Sequence, residues 1–321
     1  MAFKLSDIPS LKDKVILVTG GNEGLGKESV FQLATRSPAK IYLAARNPSK
    51  AEAAIAEIKQ RAGPECAPIQ LLSLDLSSLD SVKKAAAEVT ANESRLDLLI
   101  ANAGVMGAGG VTEDGYELQF GVNHMGHALL IRSLLPLMQE TAQREGISAG
   151  ETRCVILSSS AESFAPASIY PFDELKSDYA SAGMWAKYGI SKMANLHYAS
   201  QLAIHYPEAK TGIRFVSVHP GGVITNLGDT LNNWPKTERV VRKFAAMLLN
   251  LKPVEEEGVR NQLWAATCPD GMGDGLKAPE SGGFYYPVGI AGKGSKTAYN
   301  KAKADELWEW TEKELQPHLA V

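Results

Sequence analysis

Short β-branched runs alternate with longer amphipathic stretches along most of this chain, and that alternation settles its architecture before any single residue is considered. Val15–Thr19, Ile41–Ala45, Leu71–Asp75, Leu96–Ala101, Val155–Ser158 and Arg214–His219 read as strands. Helical patterns over Leu25–Ala34, Pro48–Arg61, Leu79–Val89, about Gly115 to Met138, and Met184–His205 lie among them. Strands that are apolar almost throughout are covered on both faces, which predicts a doubly wound parallel sheet in three α/β/α layers. No repeat or low-complexity linker divides the 321 residues, so one domain over residues 1–321 is expected. A further strand over Gly283–Val288 and a helix over Lys303–Leu315 complete the pattern, with Gly271–Gly275 as a turn.

Two stretches keep no period. Residues 161–183 carry Phe164, Pro166, Tyr170, Pro171 and Phe172; residues 221–255 carry Gly222, Asn226, Gly228, Trp234 and Pro235. Each follows a strand at its carboxyl end, where open α/β sheets bind ligands, and both read as substrate loops.

Composition removes several classes of function. Thirty-three Lys and Arg against thirty-six Asp and Glu leave a net charge of −3, too balanced for a protein held to nucleic acid by phosphate neutralisation. No run approaches the ~20 apolar residues of a membrane helix, and Val15–Val18 is too short for a signal-peptide core. Three cysteines (Cys66, Cys154 and Cys268) cannot all pair and match no zinc spacing. His124 and His127 have no evident carboxylate or cysteine partner, so no metal site is expected. A cytoplasmic protein in a reduced compartment follows, without nucleic-acid partner or membrane span; homo-oligomerisation is left open.

The first strand runs directly into Gly20-Gly21-Asn22-Glu23-Gly24-Leu25-Gly26. Glycines between a strand and a helix let backbone approach a pyrophosphate, and the helix start offers free N–H groups. Gly20, Asn22, Gly24, Leu25 and Gly26 are therefore candidate cofactor-binding residues. The spacing is T-G-x-x-x-G-x-G rather than G-x-G-x-x-G, and a plain glycine turn has the same composition. The end of the second strand tips the balance. A free ribose 2′-hydroxyl is normally met by an acid about 20 residues past the loop; here Ala44, Ala45 and Arg46 stand there, and the first acid is Glu52. A guanidinium can hold a 2′-phosphate bidentately. Arg46 as a solvated surface cation is the alternative, but the missing acid favours NADP(H).

Tyr188 and Lys192 are four apart in a helical stretch and share one face. A cation beside a phenol of pKa ~10 favours the phenolate, so Lys192 is expected to lower the Tyr188 pKa. Such a pair arises by chance in many helices, and its neighbours strengthen it. Ser158-Ser159-Ser160 closes one strand, Asn102-Ala103-Gly104 closes another, and Asn123 sits inside the long helix, where an amide is a poor former. All of them fall at one edge of one sheet.

Together with His219-Pro220-Gly221 and Asp75, these pieces resemble the short-chain dehydrogenase/reductase superfamily, in its single-domain, Rossmann-type branch. Ala44-Ala45-Arg46-Asn47, Asn123-His-Met-Gly-His127 and His219-Pro220-Gly221 are similar to its retinol-dehydrogenase-like subgroup. The resemblance implies that Tyr188 is the acid/base, that Lys192 tunes it and holds the nicotinamide ribose, and that Ser159 polarises the substrate oxygen. It implies that Asn123 positions a water linking Lys192 to solvent. Asp75 would contact the adenine, Asn102 with Ala103 and Gly104 the adenosine side, and Val223 with Thr225 the carboxamide. Ser159 is chosen over Ser160, the reserve, because aligning Arg153–Ser159 on the family's strand puts it last.

The leading function is NADPH-dependent reduction of a ketone or aldehyde, reversibly the oxidation of an alcohol. Phe164, Tyr170, Phe172, Trp185, Leu227, Leu231 and Trp234 in and beside the loops point to an apolar small molecule, although they could equally pack on one another. A non-catalytic NADP-binding regulator and a tailoring enzyme of a natural-product pathway are the alternatives. Retention of both Tyr188 and Lys192 argues against the regulator.

Overall fold

The computed structural model describes residues 3–222, 254–271 and 277–319, the side chains of 255 and 256 excepted. Its strands are β1 (Val15–Thr19), β2 (Lys40–Ala45), β3 (Ile69–Ser73), β4 (Leu98–Ala101), β5 (Thr152–Leu157), β6 (Ile213–Val218), β7 (Phe284–Tyr286) and β8 (Ile290–Ala291). They form one sheet of order β3-β2-β1-β4-β5-β6-β7-β8. Every pairing from β3 through to β7 is parallel, and β8 turns back antiparallel on β7. The main helices are α1 (Gly24–Ala34), α2 (Pro48–Ala62), α3 (Leu79–Asn92), α4 (Gly126–Ala142), α5 (Met184–His205), α6 (Arg260–Thr267) and α7 (Lys301–Leu319).

Alternation along each strand sorts the core into two layers. Val15, Leu17, Tyr42, Leu99, Ile156 and Phe215 join α3, α4 and α5 on one face. Ile16, Val18, Ile41, Leu43, Val155 and Val216 join α1, α2 and α6 on the other. All five residues of β1 and all six of β5 and β6 are buried, as a sheet covered on both sides requires. The α/β reading of the sequence, doubly wound and three-layered, holds.

Local departures have local causes. The third strand lies at Ile69–Ser73, two residues before its expected place, because β2 pairs with it from Ile41↔Ile69 to Ala45↔Ser73. Asp75 is left to a turn, where its carboxylate accepts the Ser77 N–H at 2.9 Å and the Ser77 hydroxyl at 2.6 Å. The long helix expected from Gly115 is broken up. Its first turn is Leu118–Phe120, capped by Glu117, whose carboxylate accepts the Phe120 N–H at 2.7 Å. A π-turn follows at Gly121–Met125, and only then α4. Gly283–Val288 is not one strand either: β7 stops at Tyr286, Pro287 supplies no N–H, and the chain reverses into β8. The first unpatterned stretch carries a 3₁₀ turn at Ser160–Phe164 and a short helix at Phe172–Leu175. Most of the second, 223–253, lies outside the described residues, as do 272–275 of the expected Gly271–Gly275 turn.

The terminal helix α7 packs across α4 and α5. Leu307 and Leu315 are buried in this seam, Trp310 stacks on Phe172 with ring centroids 4.7 Å apart, and Glu312 pairs with Arg132 at 2.9 Å.

Candidate active site

Strand order reverses between β1 and β4, and there a cleft of about 320 Å³ opens at the carboxyl ends of the strands. Its floor is built from Thr19. The Thr19 hydroxyl oxygen accepts the N–H groups of Asn102 and Ala103, both at 2.9 Å, and the Thr19 carbonyl accepts the Asn102 amide at 2.8 Å. Asn102, expected beside the adenosine, thus spends its side chain on holding the first loop against the fourth strand. Gly24 has φ +53° and begins α1, and a Cβ on Gly26 would collide with the Gly20 carbonyl and the Asn102 amide. No side chain caps α1, and its first residues Gly24 and Leu25 line the cleft together with Gly20 and Asn22. This cradle suits a pyrophosphate.

At one end of the cleft the sequence Ala44-Ala45-Arg46-Asn47 brings no acid. Ala44 and Ala45 are buried, and Arg46, Asn47 and Lys50 line the wall. Asn47 caps α2 by accepting the Lys50 N–H at 3.0 Å, which sets Lys50 one turn from Arg46. Lys50 was missed in the sequence; the signal was the Asn-Pro helix start, which places the third helical residue back beside the cap. Arg46 is 72% exposed and lies 3.9 Å from Asp75, which also lines this end with Leu74 and Leu76.

At the other end stand Tyr188 and Lys192 of α5. Gly189 lets this helix press against the Ser160–Phe164 turn, since a Cβ there would strike the Ala165 nitrogen at 2.6 Å. The three serines have separate duties. Ser158 donates to the Lys192 carbonyl at 2.6 Å, Ser159 Oγ accepts the Ala161 N–H at 3.1 Å and lowers the pKa of the Tyr188 phenol beside it, and Ser160 opens the 3₁₀ turn. Asn123, fully buried in the π-turn, accepts the Val105 N–H at 2.8 Å and donates to the Val105 carbonyl at 3.0 Å and Ser191 Oγ at 2.9 Å. A side chain on Gly104 would meet Asn123 Oδ1 at 3.2 Å and Lys192 Nζ at 3.4 Å, so both groups converge on that glycine. Val223 and Thr225 lie outside the described residues.

The charges of this end correct one expectation. Lys192 does not bring the Tyr188 pKa below its ordinary value here. Burial pushes the phenol up to about 12, and Ser159 offsets only part of that. The Lys192 ammonium donates to the Leu157 carbonyl at 3.1 Å and stands 5.6 Å from the phenol ring centroid. Burial also draws Lys192 down to about 8. Desolvation outweighs attraction at that separation.

A model of the short chain dehydrogenase family matches residues 14–168. The chain is 36% identical over 318 residues to the short-chain dehydrogenase/reductase drtF of Aspergillus calidoustus, covering 96% of each chain. The chain belongs to the short-chain dehydrogenase/reductase family. Its retinol-dehydrogenase-like character shows in a 34% identity over 266 residues to mouse retinol dehydrogenase 14, covering 80% of this chain and 74% of that one. Among solved structures, a Mycobacterium paratuberculosis protein superposes with a TM-score of 0.72 at 26% identity, covering 98% of both chains. The family is one of oxidoreductases. Among the described residues no helix is long and apolar enough to cross a membrane, and no three His, Cys, Asp or Glu side chains are grouped to hold a metal.

Proposed function

We propose that this chain is an NADPH-dependent carbonyl reductase of apolar small molecules, working as one cytoplasmic catalytic unit. The observation that carries the reading is a single cleft with two cations, Arg46 and Lys50, at one end and Tyr188 with Lys192 at the other. Between them lie the glycine cradle and the uncapped start of α1, which fit the diphosphate of a dinucleotide. Arg46 and Lys50 would hold a 2′-phosphate, the Gly20–Gly26 turn the diphosphate, Asp75 the adenine end, and Lys192 the nicotinamide ribose.

The bound nicotinamide supplies the hydride. Tyr188 holds the proton: with its pKa at about 12 it is a full phenol at neutral pH, suited to protonating a carbonyl oxygen. Ser159, beside that hydroxyl, polarises the same oxygen as negative charge grows on it. Lys192, a cation below about pH 8, steadies the phenolate left behind. Asn123 clamps Val105 to the catalytic helix and keeps Lys192 aimed at Gly104. Trp185, one helical turn from Tyr188, packs edge to face on Phe164 at 5.5 Å, and the two half-exposed rings support an apolar substrate.

Following NADPH oxidation across a panel of apolar ketones and aldehydes tests the reading. NADPH is expected to bind at least about tenfold more tightly than NADH, and Arg46→Asp to remove that preference, since a charged hydrogen bond contributes ~1.5–3 kcal/mol. Equal affinity of the wild type for the two cofactors would defeat it.

A further inference from the structure

His127 takes no part in the steps above, yet it is buried and both of its ring nitrogens are engaged. Nε2 lies 2.9 Å from Thr19 Oγ1, and Nδ1 lies 3.0 Å from the Asn123 carbonyl oxygen. Its protonation state follows by elimination. A carbonyl oxygen only accepts, so Nδ1 carries a proton. Thr19 Oγ1 already accepts two N–H groups, from Asn102 and Ala103. That fills both lone pairs of a hydroxyl, and its own hydrogen must turn to His127. Nε2 therefore accepts, and the ring is neutral with its proton on Nδ1. Burial agrees, holding the imidazole down to about 4, with the Lys192 cation adding to it.

The two partners belong to different parts of the site. Thr19 ends β1 and carries the floor under the glycine cradle. Asn123 is the middle of the π-turn, and its amide reaches Ser191, which in turn donates to the Tyr188 carbonyl at 2.8 Å. We propose that His127 is a positioning residue that locks the π-turn to the end of β1, so that the dinucleotide floor and the Tyr188–Lys192 helix keep one register. A ring that merely filled space would not need an acceptor on one side and a donor on the other. Metal ligation is not in competition, because both nitrogens are committed within the protein.

The kinetic part of the test rests on the reductase reading; the spectroscopic part does not. Long-range proton–nitrogen spectra of histidine-labelled protein, with His127 assigned by the signal lost in His127→Asn, report the tautomer directly. The expected result is a protonated Nδ1 and a bare Nε2, unchanged through the range where an ordinary imidazole of pKa ~6.5 titrates. A proton on Nε2, or ordinary titration, would overturn the proposal. Asparagine places a donor where Nδ1 stands, and glutamine an acceptor where Nε2 stands. His127→Asn is expected to keep kcat within about threefold while weakening NADPH binding about tenfold, and His127→Gln to do the reverse, as one lost buried hydrogen bond implies. Equal losses in both variants, or none, would also overturn it. If these variants fail to fold, the wild-type spectrum decides. If the wild type binds no NADPH, the reductase reading fails, and the tautomer still decides the role of His127.

Discussion

Tyr188 and Lys192 are one turn apart on α5, and burial drives their pKa values apart, to about 12 and about 8. Reduction needs the phenol protonated and the lysine charged. Lys192 loses its charge as pH rises through about 8, so kcat/KM for reduction is expected to fall on the alkaline side with an apparent pKa near that value. A profile flat to pH 10 would remove Lys192 from the step. Tyr188→Phe keeps the ring and loses only the hydroxyl, and kcat should fall at least about a hundredfold while NADPH affinity moves by less than about threefold. Turnover and fluorescence titration on the same preparation check both halves. The placement of Tyr188 and Ser159 was legible in the sequence, because a helical spacing and a strand end suffice to bring them to one edge, whereas Asn123 stood out only as an amide inside a helix. The direction of the Tyr188 shift was not. Spacing reveals which charges are neighbours, whereas desolvation depends on how much of the fold closes over them.

Among the elements, the turn from β1 into α1 leaves the least room for change. A methyl group on Gly26 would enter space held by the Gly20 backbone carbonyl and by the Asn102 side-chain amide, which its hydrogen bond to the Thr19 carbonyl holds in place. Gly26→Ala is expected to cost about 1–3 kcal/mol of stability and to abolish NADPH binding, read by thermal melting and titration. An unaltered Kd would mean that the cradle holds no diphosphate. Val15–Thr19 and Met184–His205 were read from sequence with the observed boundaries, since glycines and a cap-like break flank them. The π-turn at Gly121–Met125 was not. One inserted residue leaves apolar residues on roughly the same face, so periodicity passes over it, and only the placement of Asn123 inside a helix hinted at an irregularity. The same holds for Lys50, whose place beside Arg46 depends on how Asn47 starts α2.

At the scale of the molecule, α7 closes the face formed by α4 and α5. The Trp308 indole stacks on Tyr198 at 5.3 Å and on His205 at 4.2 Å, and Thr311 hydrogen-bonds with the buried His124 at 2.9 Å. Ending the chain after Asn300 would expose Leu307, Trp308 and Leu315 contacts worth about 1.5–3 kcal/mol each. The truncated chain is expected to aggregate or to lose its cooperative melt; an unchanged elution volume and Tm would make α7 an appendage. This seam was illegible in the sequence, because an amphipathic helix announces that it packs but not on what. The strand order has a consequence during synthesis. β1 takes β4 as its neighbour, so the cofactor floor can assemble once about a hundred residues have left the ribosome. The cover for α4 follows the end of α4 itself by some 160 residues, which at ~5–20 residues per second is roughly ten to thirty seconds. Through that interval the nascent chain holds a nearly finished dinucleotide floor beside a bare apolar helix, and chaperone contact during translation should concentrate on residues 126–142.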